Sequence, residues 1–277
     1  MRGAERNPGP RPGYGREPGS KPGSKPGSEP KRSSLLIGVH SVDAALTRAP
    51  QQLQEIAIAE ECRNARVREL EQRARELGIR VRTETRAVLD RRSDGERHQD
   101  VIAEFSPDNV WGEKDLDRLL QELPAPPLVL VLDGVQDPHN LGACLRTADA
   151  AGVGLVILSK DRSASLTPAA RRAASGAAEV LPILFATNLA RVLKQLKARG
   201  VWLAGAMDQA ERSLYQQDLS GPLALVLGSE GKGMRRLTAE LCDYRLRIPM
   251  QGSVSSLNVS VATAVCLFEI VRQRGGA

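Results

Sequence analysis

Three blocks of this sequence set hydrogen-bonding side chains and glycines at the ends of apolar runs. The first is Asp133-Gly134-Val135-Gln136-Asp137-Pro138-His139-Asn140-Leu141-Gly142-Ala143-Cys144-Leu145-Arg146, in which an apolar run passes through a proline turn into a helix. Asn140 falls at or next to the expected N-cap, and Gly142, Ala143, Arg146 and Ala150 share one helix face, so small residues beside one arginine leave room for a ligand. The second is Gly228-Ser229-Glu230-Gly231-Lys232-Gly233-Met234, where three glycines after a strand let backbone amides approach a bound molecule closely. The third runs from Ile248-Pro249-Met250 through Ser255-Ser256-Leu257-Asn258 to Ala262. It predicts a small-residue loop and a long helix starting near Leu257, with Ser256 and Asn258 in a first turn that favours electron-rich groups.

Each block alone also fits a purely structural account. Asn140 can be a cap and Arg146 a surface charge, the glycine loop can be a solvated turn, and Ser255 or Ser256 can cap the last helix. The glycine loop is neither GxGxxG nor a P-loop, since no Ser or Thr follows a Gly-Lys pair, and the missing fingerprint argues against a dinucleotide oxidoreductase. No GxSxG elbow supports a hydrolase. His40, His98 and His139 are isolated, so no metal is expected.

The elements around these blocks alternate. Leu35–Val39, a helix near Val42–Thr47, Leu53–Ala59, a helix over Ala65–Leu77 closed by Gly78, Ile79–Thr83, a short helix and Val101–Phe105 describe a small α/β domain at 34–107. A connection at 108–124 ends in the breaker Pro124, Pro126, Pro127. From there to 277, the apolar runs Leu128–Leu132, Leu155–Leu158, Val201–Ala204 and Leu223–Leu227 lack alternation, which predicts a mostly parallel sheet covered by helices. Thr167-Pro168 and Asn188 start two of these helices, and Gly200 ends the second. Open α/β sheets place ligands beyond the carboxyl ends of their strands, where all three blocks lie.

Of the net charge of +6, residues 1–33 carry eight Lys or Arg against three acids, a net +5. Their Pro-Gly-Ser-Lys pattern predicts a disordered basic arm that attracts phosphate without specifying it. Cys62, Cys144, Cys242 and Cys266 form no CxxC pair, no apolar run is long enough to span a bilayer, and no signal core is present. Together these predict reduced thiols in a cytoplasmic protein without membrane contact.

In their order, D-x-x-x-D-P-x-N-x-G-x-x-x-R from Asp133 to Arg146, L-G-S-E-G-x-G from Leu227 to Gly233 and I-P-M-x-G-x-x-x-S-L-N-V-S-V-A from Ile248 to Ala262 resemble the SpoU (TrmH) family of SPOUT methyltransferases. Ile37-Gly38-Val39-His40-Ser41-Val42 and His98-Gln99-Asp100-Val101 resemble that family's substrate-binding module of ribosomal-protein type. The resemblance covers about Leu35 to Arg274 and is closest to the branch that 2′-O-methylates a guanosine of bacterial 23S ribosomal RNA. It implies a deep trefoil knot, S-adenosylmethionine as methyl donor, and a homodimer whose active site combines both subunits. By the same resemblance, Gly228, Ile248 and Leu257 hold the cofactor while Asn140, Arg146, Glu230, Ser256 and Asn258 surround the reacting ribose. A transfer RNA or another ribosomal site remains an alternative substrate, and a non-catalytic RNA binder an alternative activity.

Overall fold

The computed structural model describes residues 34–106, 109–161 and 163–275. The basic arm expected at 1–33 lies outside the described residues.

The first sheet has four strands: β1 (Ser34–Ile37), β2 (Leu53–Ala59), β3 (Arg80–Glu84) and β4 (Val101–Phe105), in the order β1-β4-β2-β3. β4 runs antiparallel to β1 and β2, and β2 runs parallel to β3. Strand pleating splits its apolar residues between two faces. Helices α1 (Val39–Arg48) and α2 (Ala65–Glu76) bury Val42, Leu46, Val67 and Leu70 against Leu36, Ile56 and Phe105. On the other face α3 (Arg86–Arg92) contributes Leu89 against Ile37, Ala57 and Ile102. The side chain of Asn64 accepts from the amide of Arg66 and so starts α2, and Gly78 ends it at φ 72°.

The chain continues through β5 (Val110–Gly112), α4 (Leu116–Glu122), β6 (Leu128–Asp133), α5 (Pro138–Ala150), β7 (Leu155–Ser159), α6 (Pro168–Ala174), α7 (Ala177–Val180) and β8 (Ile183–Ala186). After α8 (Leu189–Ala198) come β9 (Trp202–Ala206), β10 (Arg212–Ser213), β11 (Leu223–Gly228), α9 (Arg236–Leu241), β12 (Tyr244–Arg247) and α10 (Val259–Gln273). The strands form one sheet, β10-β12-β9-β11-β6-β7-β8-β5, in which every neighbouring pair is parallel. Leu128, Leu130 and Leu132 face α5, α6 and α10, while Val129 and Val131 face α4 and α8. Burial on both sides explains why β6 reads as unbroken apolar sequence.

Three local expectations are corrected. The connection at 108–124 is not a plain linker: β5 pairs with β8 at the sheet edge, and Leu116 and Leu119 of α4 enter the core. A strand of three residues is too short to show a period. Helix α5 is capped by Asp137, whose carboxylate accepts from the amide of His139, so Asn140 stands at the third helical position, within the first turn. Proline at the first helical position, where its missing N–H is not needed, moves the start upstream. Helix α10 begins at Val259 with Asn258 as its cap, which leaves Ser256 in the loop before it. The starts at Thr167 and Asn188 are as expected, each side chain accepting a hydrogen bond from a first-turn amide.

Candidate functional site

The carboxyl ends of β6 and β11 are adjacent, Gly228 pairing with Asp133, and the loops beyond them are tied together. Asp133 is buried, and its carboxylate accepts from the amide of Arg235 at 3.0 Å, with the guanidinium Nε 3.4 Å away. After β11 the chain folds back on itself: Ser229 and Gly233 exchange backbone hydrogen bonds at 3.1 and 2.9 Å. A Cβ on Gly228 would stand 2.0 Å from the carbonyl carbon of Gly233, so only glycine permits this closure. Gly231 and Gly233 take φ of 74° and 65°, which places Glu230 at the tip of the loop.

One residue from each block meets there. Glu230 Oε1 accepts from Asn140 Nδ2 at 3.1 Å and from Asn258 Nδ2 at 2.5 Å, and the amide of Val259 donates to it at 3.4 Å. Asn258 Nδ2 also donates to Asn140 Oδ1 at 3.0 Å, while Asn258 Oδ1 accepts from the amide and hydroxyl of Ser260. The carboxylate therefore sits at the amino end of α10, where the helix dipole favours negative charge.

Glu230 borders two cavities. The larger, about 740 Å³, is lined by Gly228, Ile248 and Leu257 together with Ser256, Met250 and Ala262. Its size is that of a site for a small-molecule ligand, and its walls mix apolar with polar residues. The smaller, about 340 Å³, opens at the end of β6 between Asp133, Gln136, Asn140 and Lys232. The loop residues 207–209 also line the larger cavity and carry no sequence signal.

Arg146 is not in this cluster. It is exposed on α5, and its Nη1 donates to Ser175 Oγ at 3.2 Å. The space beside it, expected for a ligand, is filled by α6: a Cβ on Gly142 would lie 2.3 Å from the carbonyl oxygen of Ala170. Of the histidines, His40 and His139 are exposed, and buried His98 pairs through Nε2 with Asp90 while its Nδ1 accepts from the amide of Asp100. Among the described residues no helix is long and apolar enough to cross a membrane.

Two family models match the chain: the SpoU rRNA Methylase family over residues 127–268 and RNA 2′-O ribose methyltransferase substrate binding over 35–111. The 23S rRNA (guanosine-2′-O-)-methyltransferase RlmB of Pseudomonas syringae pv. tomato is 56% identical over 239 residues, covering 86% of this chain and 95% of that protein. Its namesake in Escherichia coli K12 is 50% identical over 242 residues, 87% of this chain and 99% of that one. The SpoU methyltransferase AviRb from Streptomyces viridochromogenes, in complex with the cofactor AdoMet, superposes with a TM-score of 0.74 at 26% identity, covering 88% and 92% of the two chains.

Proposed function

The chain belongs to the SpoU rRNA methylase family, and from that premise we propose that it methylates the ribose 2′-hydroxyl of a guanosine in 23S ribosomal RNA, using S-adenosylmethionine. The observation that carries the chemistry is the meeting of Asn140, Glu230 and Asn258 at the rim of a cavity large enough for a nucleoside-sized cofactor. When bound, S-adenosylmethionine supplies a sulfonium-activated methyl group, so the protein has to provide alignment and a hydroxyl relieved of its proton.

The residues present fit that cofactor. Gly228, Ile248 and Leu257 line the larger cavity, where Leu227, Ile248, Met250 and Ala262 offer apolar contact to an adenine and the tight Gly228 loop keeps backbone groups close. Glu230 is the proton acceptor in this reading, with a phosphate oxygen of the RNA as the alternative. Asn140 and Asn258 orient its carboxylate through their amide groups. Ser256, on the wall of the same cavity, contributes a hydroxyl toward the ribose. Arg146 stays protonated, so it clamps a phosphate or hydroxyl oxygen rather than accepting a proton.

Arg146 stands apart from Glu230 within one chain, which favours a homodimer in which the cluster is completed by Arg146 of the partner subunit. Exposed Val261 and Phe268 on α10 supply apolar surface of the kind such an interface buries. The four-stranded sheet and its helices act as the module that selects the RNA, residues from about 125 onward perform the transfer, and the last segments form the family's trefoil knot. The protein works in the cytoplasm, where ribosomal RNA is assembled, and needs no metal.

Mass-spectrometric mapping of ribose methylation in 23S ribosomal RNA, with and without this protein, tests the proposal. One guanosine should lose its 2′-O-methyl group when the protein is absent. Methylation of transfer RNA alone would move the substrate, and no transfer from labelled S-adenosylmethionine to any RNA would remove the activity.

A further inference from the structure

The face of α5 that carries Arg146 also carries Gly142, one turn earlier. Because Gly142 has no side chain, α6 packs directly on that face, and the end of α6 arrives beside the guanidinium. The residue found there is Ser175, at φ 50°, in the left-handed conformation that serine rarely adopts. Its Oγ is the one acceptor that Arg146 has among the described residues, at 3.2 Å.

The turn that holds Ser175 is clamped from both sides. Across it, Arg171 of α6 and Glu179 of α7 form a buried ion pair at 3.0 Å. Gly176, at φ 96°, lies against Ala44 of α1 so closely that a Cβ would stand 2.0 Å from the alanine's own. The guanidinium of Arg171 lies 5.9 Å from the ring of Phe105, at the end of β4. The position of Ser175 is thus set by the packing of the four-stranded unit on α6 and α7, while its hydroxyl faces Arg146.

We infer that Ser175 is a positioning residue for Arg146. Its hydroxyl holds one edge of the guanidinium, leaves the remaining N–H donors for an RNA oxygen, and ties their direction to the seating of α1 against the α6–α7 turn. The inference rests on the reading of Arg146 as the clamp on a phosphate or hydroxyl oxygen.

The test uses the full chain, with labelled S-adenosylmethionine and substrate RNA in single-turnover assays, together with calorimetric cofactor titration and thermal melts. Ser175→Gly removes the hydroxyl and suits the left-handed backbone, so the melting temperature should stay equal or rise. Methyl transfer should slow by roughly tenfold, as expected for a misaligned group, with cofactor affinity unchanged. Ser175→Asn tolerates the same backbone and restores an acceptor oxygen, and should recover most of the rate. A wild-type rate for Ser175→Gly, or a Ser175→Asn rate no faster than that of Ser175→Gly, overturns the inference. Arg146→Ala separates the two levels. If it is inactive while Ser175→Gly is fully active, only the positioning role falls; if Arg146→Ala is itself fully active, the clamp falls and the positioning role with it.

Discussion

Glu230 and Asn258 lie 28 residues apart in sequence and meet at 2.5 Å, carboxylate oxygen to amide nitrogen. Oε1 takes all the hydrogen bonds that reach this carboxylate, from Asn140, Asn258 and Val259, and among the described residues no donor reaches Oε2. In the proposed reaction, that oxygen is the one that accepts the proton. Glu230→Gln keeps the volume and removes the charge, and should lower the single-turnover rate of methyl transfer by about a hundredfold or more. Binding of S-adenosylmethionine, measured by calorimetry, should stay near that of the wild type. A variant with an undiminished rate would exclude Glu230 from the proton transfer.

Gly228 makes the complementary prediction for cofactor binding. In Gly228→Ala the new methyl group meets backbone atoms of Gly233 and Met234 at 2.0 and 2.1 Å, and backbone cannot step aside as a flexible side chain can. The loop must open, at a cost of about 1–3 kcal/mol of stability. Cofactor affinity should fall much more than affinity for RNA, since Gly228 lines the larger cavity and the four-stranded unit proposed to select the RNA contributes nothing to its walls. Parallel titrations with S-adenosylmethionine and RNA decide it; equal losses in both would mean general unfolding.

Much of this fold was legible because burial on two faces leaves a sequence trace. Leu128 to Leu132 read as a sandwiched strand without knowledge of its neighbours, and Thr167-Pro168 announced a helix start through cap chemistry. The place of β11 between β6 and β9 was not legible, because pairing across about a hundred residues leaves no local period. The start of α5, expected at or next to Asn140, lies three residues earlier because Asp137 accepts from a first-turn amide and Pro138 suits the first helical position. The meeting of Asn140, Glu230 and Asn258 came into view only through the family resemblance, since nothing in the spacing of three distant loops shows that their strands are adjacent. Ser175 carried no signal beyond a Ser-Gly turn.

The Arg171–Glu179 pair gives a pH test of the joint between α6 and α7. Burial pushes the Glu179 carboxyl above its ordinary value of 4.5, with Arg171 opposing, and its Oε2 has no partner. A raised folded-state value means that the native protein holds this proton more tightly than the unfolded chain does. The stability it contributes is present below 4.5 and is lost as the pH rises toward the folded-state value. Glu179→Gln does not titrate, so the stability of the wild type relative to this variant should fall in urea melts as the pH rises above 4.5. A gap that widens with pH would mean that Arg171 outweighs burial. Arg171→Met, which leaves the carboxylate without its partner, should destabilise by about 3–5 kcal/mol.

The four cysteines are free, and their surroundings divide them by reactivity. Burial pushes the thiols of Cys144 and Cys242 up to about 11 and that of Cys266 to about 12, against an ordinary value of 9.0. Cys144 is further engaged with Thr263 Oγ1 at 3.4 Å, between α5 and α10, four and five residues along these helices from Asn140 and Asn258. Since the thiolate is the reactive form, iodoacetamide at about pH 8 should alkylate half-buried Cys62 first and reach the other three only on unfolding. The same burial has a thermodynamic side. In the unfolded chain these thiols ionise near 9.0, well before they do in the fold, so stability should decline as the pH passes that value. Peptide mass spectrometry after a short alkylation pulse reads the order directly. Labelling of Cys144 as fast as Cys62 in the native protein would show that α5 and α10 separate readily, and would contradict the rigid seating on which the Asn140, Glu230 and Asn258 cluster depends.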